Sequence, residues 1–171
     1  RKSRVFAWIP IMQGCNKFCT YCIVPYVRGR EISRTIDDIC REIKGLAETG
    51  YKEITLLGQN VNSYGLDFRN GTNFGDLIRA IDKIDGIERV RYMTSHPRDM
   101  TFDMIDAMAA SPKVVRHMHL PVQHGSNEML KQMNRGYTIE HFKELVNYVR
   151  QKMPDVALTT DLITGFPGET E

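Results

Sequence analysis

The chain has 171 residues, of which 42% are hydrophobic and 26% charged, with a formal net charge of +2 and four cysteines. That composition is too apolar for a disordered chain and too poor in cysteine for a disulfide scaffold. No apolar run approaches the roughly 18–20 residues of a membrane span, no secretory signal is visible, and so small a charge does not by itself argue for a nucleic-acid or membrane surface.

In chain order, short apolar runs alternate with amphipathic stretches. A first strand is predicted over residues 5–10. The first helix begins near Thr35, where Thr35 and Asp38 fit a capping box, and its stripe of Ile36, Ile39, Cys40, Ile43, Leu46 and Ala47 closes at Gly50. A second strand is predicted over 53–57. A helical stripe follows through Phe74, Leu77, Ile78, Ile81 and Ile84 to Gly86. The third strand, over 89–94, leads to a helix over 102–110. The fourth, over 114–120, leads to helices over 127–134 and 139–152, the latter opened by Thr138 and closed by Pro154. The fifth strand covers 156–163.

This α/β alternation predicts a parallel sheet with right-handed crossovers. An eight-unit barrel takes about 31 residues per unit, so the chain holds between five and six units. A partial barrel and an open doubly wound sheet both fit that count. Each strand runs out into a polar loop: MQGCNKFCTYC, GQNVNSYG, TSHP, HLPVQHGS and TGFPGET. Ligands of parallel α/β folds sit at the carboxyl ends of strands, so one site is predicted where these loops converge.

Cys15, Cys19 and Cys22 stand in the spacing C-x3-C-x2-C. Three thiolates on one short loop can converge on a single metal centre. Structural zinc wants a fourth protein ligand, for which His96, His117, His119, His124 and His141 are available; Cys40 belongs to a helix stripe and reads as a packed core residue. A three-cysteine iron–sulfur cluster instead leaves one iron open to a substrate or cofactor.

The cysteine loop, with Tyr21 just before the last cysteine, resembles the signature of radical S-adenosylmethionine enzymes. IMQGCNKFCTYCIVPYVRGRE, LLGQNVNSYG, TSHP, HLPVQHGS and DLITGFPGET together resemble the methylthiotransferase branch of that family. Gln59-Asn60-Val61-Asn62 is similar to the tRNA-modifying members rather than to those that act on a ribosomal protein. The match runs over essentially the whole chain.

The resemblance implies a partial parallel (β/α) barrel of about five units. It implies a [4Fe–4S] cluster on Cys15, Cys19 and Cys22 whose free iron chelates the amino and carboxylate groups of S-adenosylmethionine. Gln59 and Asn60 would receive the methionyl ammonium, which only donates hydrogen bonds. Tyr21 would lie near the adenine, Ser95, His119 and Gln123 would bond the ribose hydroxyls, and Arg135 would pair with the carboxylate. Gly165 and Phe166 would approach the adenine. The family often has Gly where this chain has Asp161, so no contact is carried over there.

The implied reaction is methylthiolation at carbon 2 of isopentenyladenosine, next to the anticodon of tRNA. Two alternatives stay open: threonylcarbamoyladenosine in tRNA or a ribosomal protein as the substrate, and a zinc-stabilised binding module without catalysis. The implied partners are the tRNA anticodon stem-loop and an electron donor such as flavodoxin or ferredoxin, with no membrane. The implied enzyme is cytoplasmic and monomeric. Relatives carry a second [4Fe–4S] cluster in an amino-terminal methylthiotransferase domain and an RNA-binding TRAM domain at the carboxyl end. The chain starts at Arg1 and stops at Glu171 after a Gly-rich turn, so residues 1–171 read as the radical S-adenosylmethionine core of a longer enzyme. Arg28, Arg30 and Arg34 form a basic stretch that either is a solvated face or guides tRNA phosphates. His96, before Pro97, reads as structural.

Overall fold

The computed structural model describes residues 5–170; Arg1 and Glu171 lie outside them. Five parallel strands carry the fold: β1 (Phe6–Pro10), β4 (Glu53–Leu57), β5 (Arg89–Tyr92), β6 (His117–His119) and β7 (Ala157–Thr159). β1 pairs with β4 and β4 with β5, a bridge between Val90 and Val114 joins β5 to the β6 segment, and β6 pairs with β7. Spatial order therefore follows chain order without a reversal. A doubly wound sheet needs a reversal where its winding changes direction. The helices α2 (Ile36–Glu48), α3 (Phe74–Asp82), α4 (Phe102–Ala110) and α6 (Ile139–Lys152) pack in succession, α2 on α3, α3 on α4 and α4 on α6. They cover one face of the sheet. Order and one-sided cover make the fold a partial barrel.

The covered face is apolar for the reason that strands alternate. Ala7 and Ile9 of β1, Ile54 and Leu56 of β4, Val90 of β5 and Met118 of β6 are buried against the helices. Phe6, Trp8, Arg89 and Arg91 point to the open face, where Glu53 accepts from Arg89 at 2.7 Å and from Arg91 at 3.0 Å. On the helix side Ile39, Ile43, Leu77, Ile81, Ile105 and Val149 complete the core.

The helix ends follow their caps. Thr35 accepts from the Asp38 amide, and its hydroxyl donates to the Asp38 carboxylate. Thr138 accepts from the His141 amide at the start of α6. Gly50, at φ +92°, ends α2 by donating to Ala47 at 2.9 Å. α3 opens on a capping box of Asn73 and Asp76, which the apolar stripe alone does not reveal.

Three departures from the sequence expectation have local causes. The predicted strand over 114–120 changes partner midway. Val115 donates to Val90 on β5, whereas Arg116 accepts from Ala157 of β7, and only His117–His119 forms a ladder. The strand predicted over 156–163 breaks after Thr159, where the Thr160 hydroxyl takes the Val122 amide at 2.9 Å. The helix predicted over 127–134 is α5 (Asn127–Gln132) and ends two residues early.

Three short elements have too few residues to show a period. β2 (Met12–Gln13) and β3 (Ile32–Ser33) pair antiparallel, and α1 (Val24–Arg28) lies between them. The β2–β3 clasp brackets the cysteine loop. Gly14 sits in the clasp at φ +76°, and a Cβ there would lie 2.0 Å from the Arg30 carbonyl oxygen. Gly14→Ala is therefore expected to open the clasp, seen as faster amide exchange in residues 12–15 and 30–33. Leu77→Ala, in the fully buried face of α3, is expected to cost about 2–5 kcal/mol in urea unfolding. The core assignment fails if the loss is below 1 kcal/mol.

Candidate active site

The cysteine loop is tied to the rest of the rim by hydrogen bonds, because so short a polar segment has no core of its own. Glu31, buried after the loop, accepts from the Asn16 amide at 3.2 Å, from its side chain at 3.1 Å and from the Ser63 hydroxyl at 2.9 Å. Lys17 is buried and forms an ion pair with Asp99 at 2.7 Å. The Thr20 amide donates to Met133 at 3.1 Å, and the Asn134 side chain donates to the Phe18 carbonyl at 2.7 Å. The loop is thus laced to segments that follow β4, β5 and α5.

A cavity of about 220 Å³ opens inside this lacing. One wall holds Cys15, Cys19, Tyr21 and Cys22; the loop after β4 gives Gln59 and Asn60; the loop after β5 gives Thr94, Ser95 and His96. His119, Gln123, Arg135 and Asp161 close the far side. Of the residues singled out in the sequence, Cys15, Cys19, Cys22, Tyr21, Gln59, Asn60, Ser95, His119, Gln123 and Arg135 are brought together here. Gly165 and Phe166 do not line the cavity. Phe166 meets Tyr21 edge-on at 6.4 Å, on the outside of the tyrosine ring.

The polar groups fall into two kinds. Some are already spent. Ser95 donates to the His119 carbonyl, and both ring nitrogens of His119 are occupied, by Thr159 at 3.0 Å and Asp161 at 3.2 Å. Others are left over: Gln59 Oε1 and Asn60 Oδ1 are buried without a hydrogen-bond partner. Leaving such acceptors bare costs roughly 1–3 kcal/mol each, so they mark a place where a donor belongs. Asn60 is oriented by Asp99, which accepts from its Nδ2 at 2.6 Å.

Arg135 is buried. Its Nη2 donates to the Pro121 carbonyl at 2.9 Å, its Nε to Tyr137 Oη at 3.2 Å, and its Nη1 to Tyr21 Oη at 3.2 Å and to Cys19 Sγ at 3.5 Å. Burial opposes its charge, yet the Tyr137, Tyr21 and Cys19 groups around it raise its pKa above the ordinary value. It therefore keeps its charge at the cavity wall. Burial pushes the Tyr21 hydroxyl up to about 12 against the pull of Arg135, so it stays protonated at neutral pH. Burial also raises the Cys15 thiol. A metal that binds this sulfur must displace its proton.

His96 caps the short helical turn Pro97–Asp99 and lines the cavity. Its Nδ1 accepts from the Arg98 amide at 3.2 Å, which leaves the proton on Nε2, 4.0 Å from Cys19 Sγ. Burial and the nearby Arg135 and Lys17 charges push its pKa down to about 2, so the ring is neutral. Sequence reasoning missed Lys17, Thr94 and Asp99, and it carried no contact over to Asp161, which lines the cavity beside His119. Lys17 stands inside the cysteine motif and Asp99 three residues beyond His96, but nothing in the chain pairs them. Thr94 and Gln123 adopt left-handed backbone, at φ +61° and +72°. Non-glycine residues held there are strained, and such strain gathers at functional sites.

The Radical SAM superfamily matches residues 9–171. The chain belongs to the radical SAM superfamily. Among curated proteins it is 60% identical over all 171 residues to the tRNA-2-methylthio-N(6)-dimethylallyladenosine synthase of Desulforamulus reducens, covering 38% of that protein. Identity is also 60% to the synthase of the same name from Carboxydothermus hydrogenoformans, with 39% of that protein covered. The chain thus spans about two fifths of the length of the curated relatives it matches. The radical SAM fold is shared with the methyltransferase TsrM from Kitasatospora setae, whose structure has cobalamin and a [4Fe–4S] cluster bound. That superposition has a TM-score of 0.75 at 21% identity and covers 96% of this chain and 32% of that one. OxsB, a cobalamin-dependent radical enzyme, superposes with a TM-score of 0.72 at 16% identity, over 94% of this chain and 24% of its own.

The buried Lys17–Asp99 pair gives a direct test of how this radical SAM site is held. Asp99→Ala strands the Lys17 ammonium, and its expected cost is about 3–5 kcal/mol in chemical unfolding. A cost below 1 kcal/mol would mean that the pair does not hold the loop.

Proposed function

We propose that the chain is the radical S-adenosylmethionine core of a longer tRNA methylthiotransferase, which acts at carbon 2 of N6-isopentenyladenosine beside the anticodon. The observation that carries this reading is identity of 56–60% across the whole chain, cavity loops included, to several synthases of that name. The relatives' greater length leaves room for the further amino- and carboxy-terminal domains that the sequence resemblance implies. The working place is the cytoplasm.

In this reading Cys15, Cys19 and Cys22 hold a [4Fe–4S] cluster, and the cavity beside them takes S-adenosylmethionine. The donor set fits. Cys15, Cys19 and Cys22 line one cavity together, and three thiolates on a four-iron cluster leave one iron open to a cofactor in that cavity. The bare oxygens of Gln59 and Asn60 suit an ammonium, which brings donors and no acceptor.

When bound and reduced, such a cluster supplies one electron that cleaves a carbon–sulfur bond of S-adenosylmethionine and yields the 5′-deoxyadenosyl radical. The chain's own residues prepare for that event. Gln59 and Asn60 take the methionyl ammonium, and Arg135, fixed by Pro121 and Tyr137, offers its charge to the carboxylate. Ser95, His119 and Gln123 lie on the far side for the ribose. Of these, Ser95 and His119 already have partners and accept a hydroxyl only by exchanging one. Tyr21, kept protonated, with Phe166 behind it, shields the adenine side from water. Gly165 sits at φ +72° with open space at its Cβ position, so it brings the Phe166 backbone around without a steric demand on the cavity.

The experiment is mass spectrometry of tRNA nucleosides from a strain that lacks the gene. Loss of the methylthio group from isopentenyladenosine, with the isopentenyl group retained, is the expected result. An unchanged nucleoside profile would overturn the tRNA reading. A change confined to threonylcarbamoyladenosine would transfer the reading to that nucleoside.

A further inference from the structure

The cysteine loop has an outer side that the cavity does not use. There Phe18 and α1 present an apolar patch: Ile23 and Val27 are each 65% exposed and Tyr26 is 73% exposed. Phe18 meets Tyr26 edge-on at 5.7 Å, so the two rings form one surface. Arg28 and Arg30 follow directly and are exposed, and neither has a hydrogen-bond or ion-pair partner among the described residues. Arg34, the third arginine of this basic stretch, is taken by Glu42 and by the Pro10 carbonyl, each at 2.8 Å.

The charge is one-sided. The first 30 residues of the chain hold six lysines and arginines and no carboxylate. The first acid, Glu31, is buried and committed to Asn16 and Ser63. An apolar centre with aromatic rings and a rim of free guanidinium groups has the make-up of a protein contact. Exposed aliphatic groups such as Ile23 and Val27 offer nothing to a phosphate-rich strand. The location is equally specific. Phe18 lies between Cys15 and Cys19, and Ile23 follows Cys22, so the patch is the outer skin of the loop that carries the thiols.

We propose that this patch, with Phe18, Ile23, Tyr26 and Val27 at its centre and Arg28 and Arg30 at its rim, docks a small acidic electron-donor protein. The proposal rests on the cluster reading above. The donor gives up one electron and the cluster gains it, with no covalent bond made or broken. Transient redox contacts are small and owe their speed to charge steering, which two unpaired arginines supply without a permanent interface.

The test uses the reconstituted protein under anaerobic conditions with reduced flavodoxin as the acidic probe, following loss of the cluster's visible absorbance by stopped flow. The doubly substituted Arg28→Glu, Arg30→Glu protein is expected to be reduced about tenfold more slowly at low salt, with a flattened dependence on ionic strength. Tyr26→Ala is expected to slow reduction without changing that dependence. Reduction of the same proteins by dithionite, which needs no docking, should be unchanged. Flavodoxin rates equal to those of the unsubstituted protein would overturn the proposal. So would unchanged rates combined with weaker binding of an anticodon stem-loop, which would assign the patch to RNA. A protein with no dithionite-reducible cluster would fail the cluster reading itself and this proposal with it.

Discussion

The structure depends on holding a short polar loop with three cysteines at the carboxyl rim of a parallel sheet. That loop buries too little apolar surface to fix itself. It is held instead by charge and hydrogen bonds that reach across the rim: Lys17 to Asp99, Asn16 to Glu31 and on to Ser63, Thr20 and Phe18 to the segment after α5. These contacts join the loop to the outlets of β4 and β5 and to the segment after α5. The cavity exists because these outlets are drawn to one place.

The same lacing sets the electrostatics. Lys17, Glu31, His96 and Arg135 are all buried, and buried charge is costly unless paired. Lys17 is neutralised by Asp99, and Glu31 is hydrogen-bonded by neutral donors. His96 avoids the cost by staying uncharged. Arg135 remains as the cation aimed at Cys19 and Tyr21. An arrangement with one cation and two bare carbonyl oxygens matches a zwitterion whose carboxylate and ammonium must be told apart. Helix packing on the opposite face of the sheet bears the structural load, which leaves the rim free to carry strained backbone at Thr94 and Gln123.

Much of this was legible in the chain. The helices over 102–110 and 139–152 follow from apolar periodicity, because each packs one face on the core, and the strand over 53–57 follows from a short apolar run that is buried at three successive residues. The strand over 114–120 changes partner and that over 156–163 breaks, and neither event shows in the sequence because a ladder's hydrogen-bond partner leaves no trace in its own side chains. The choice between barrel and open sheet was beyond periodicity and was settled by strand order. The C-x3-C-x2-C spacing located the site, and the polar strand outlets located its other walls. The Lys17–Asp99 pair was invisible because it joins residues 82 apart in sequence. Patterning identifies which residues stand on one element, but two loops that meet leave no shared period.

The central claim is that Cys15, Cys19 and Cys22 hold a cluster able to cleave S-adenosylmethionine reductively. The direct measurement is anaerobic reconstitution with iron and sulfide, then dithionite and S-adenosylmethionine, with 5′-deoxyadenosine quantified for the native protein and for Cys15→Ala, Cys19→Ala and Cys22→Ala. The account predicts a brown protein with about four irons and four acid-labile sulfides that forms 5′-deoxyadenosine, and loss of that product in every cysteine variant. A colourless protein that retains one zinc and yields no product would contradict it.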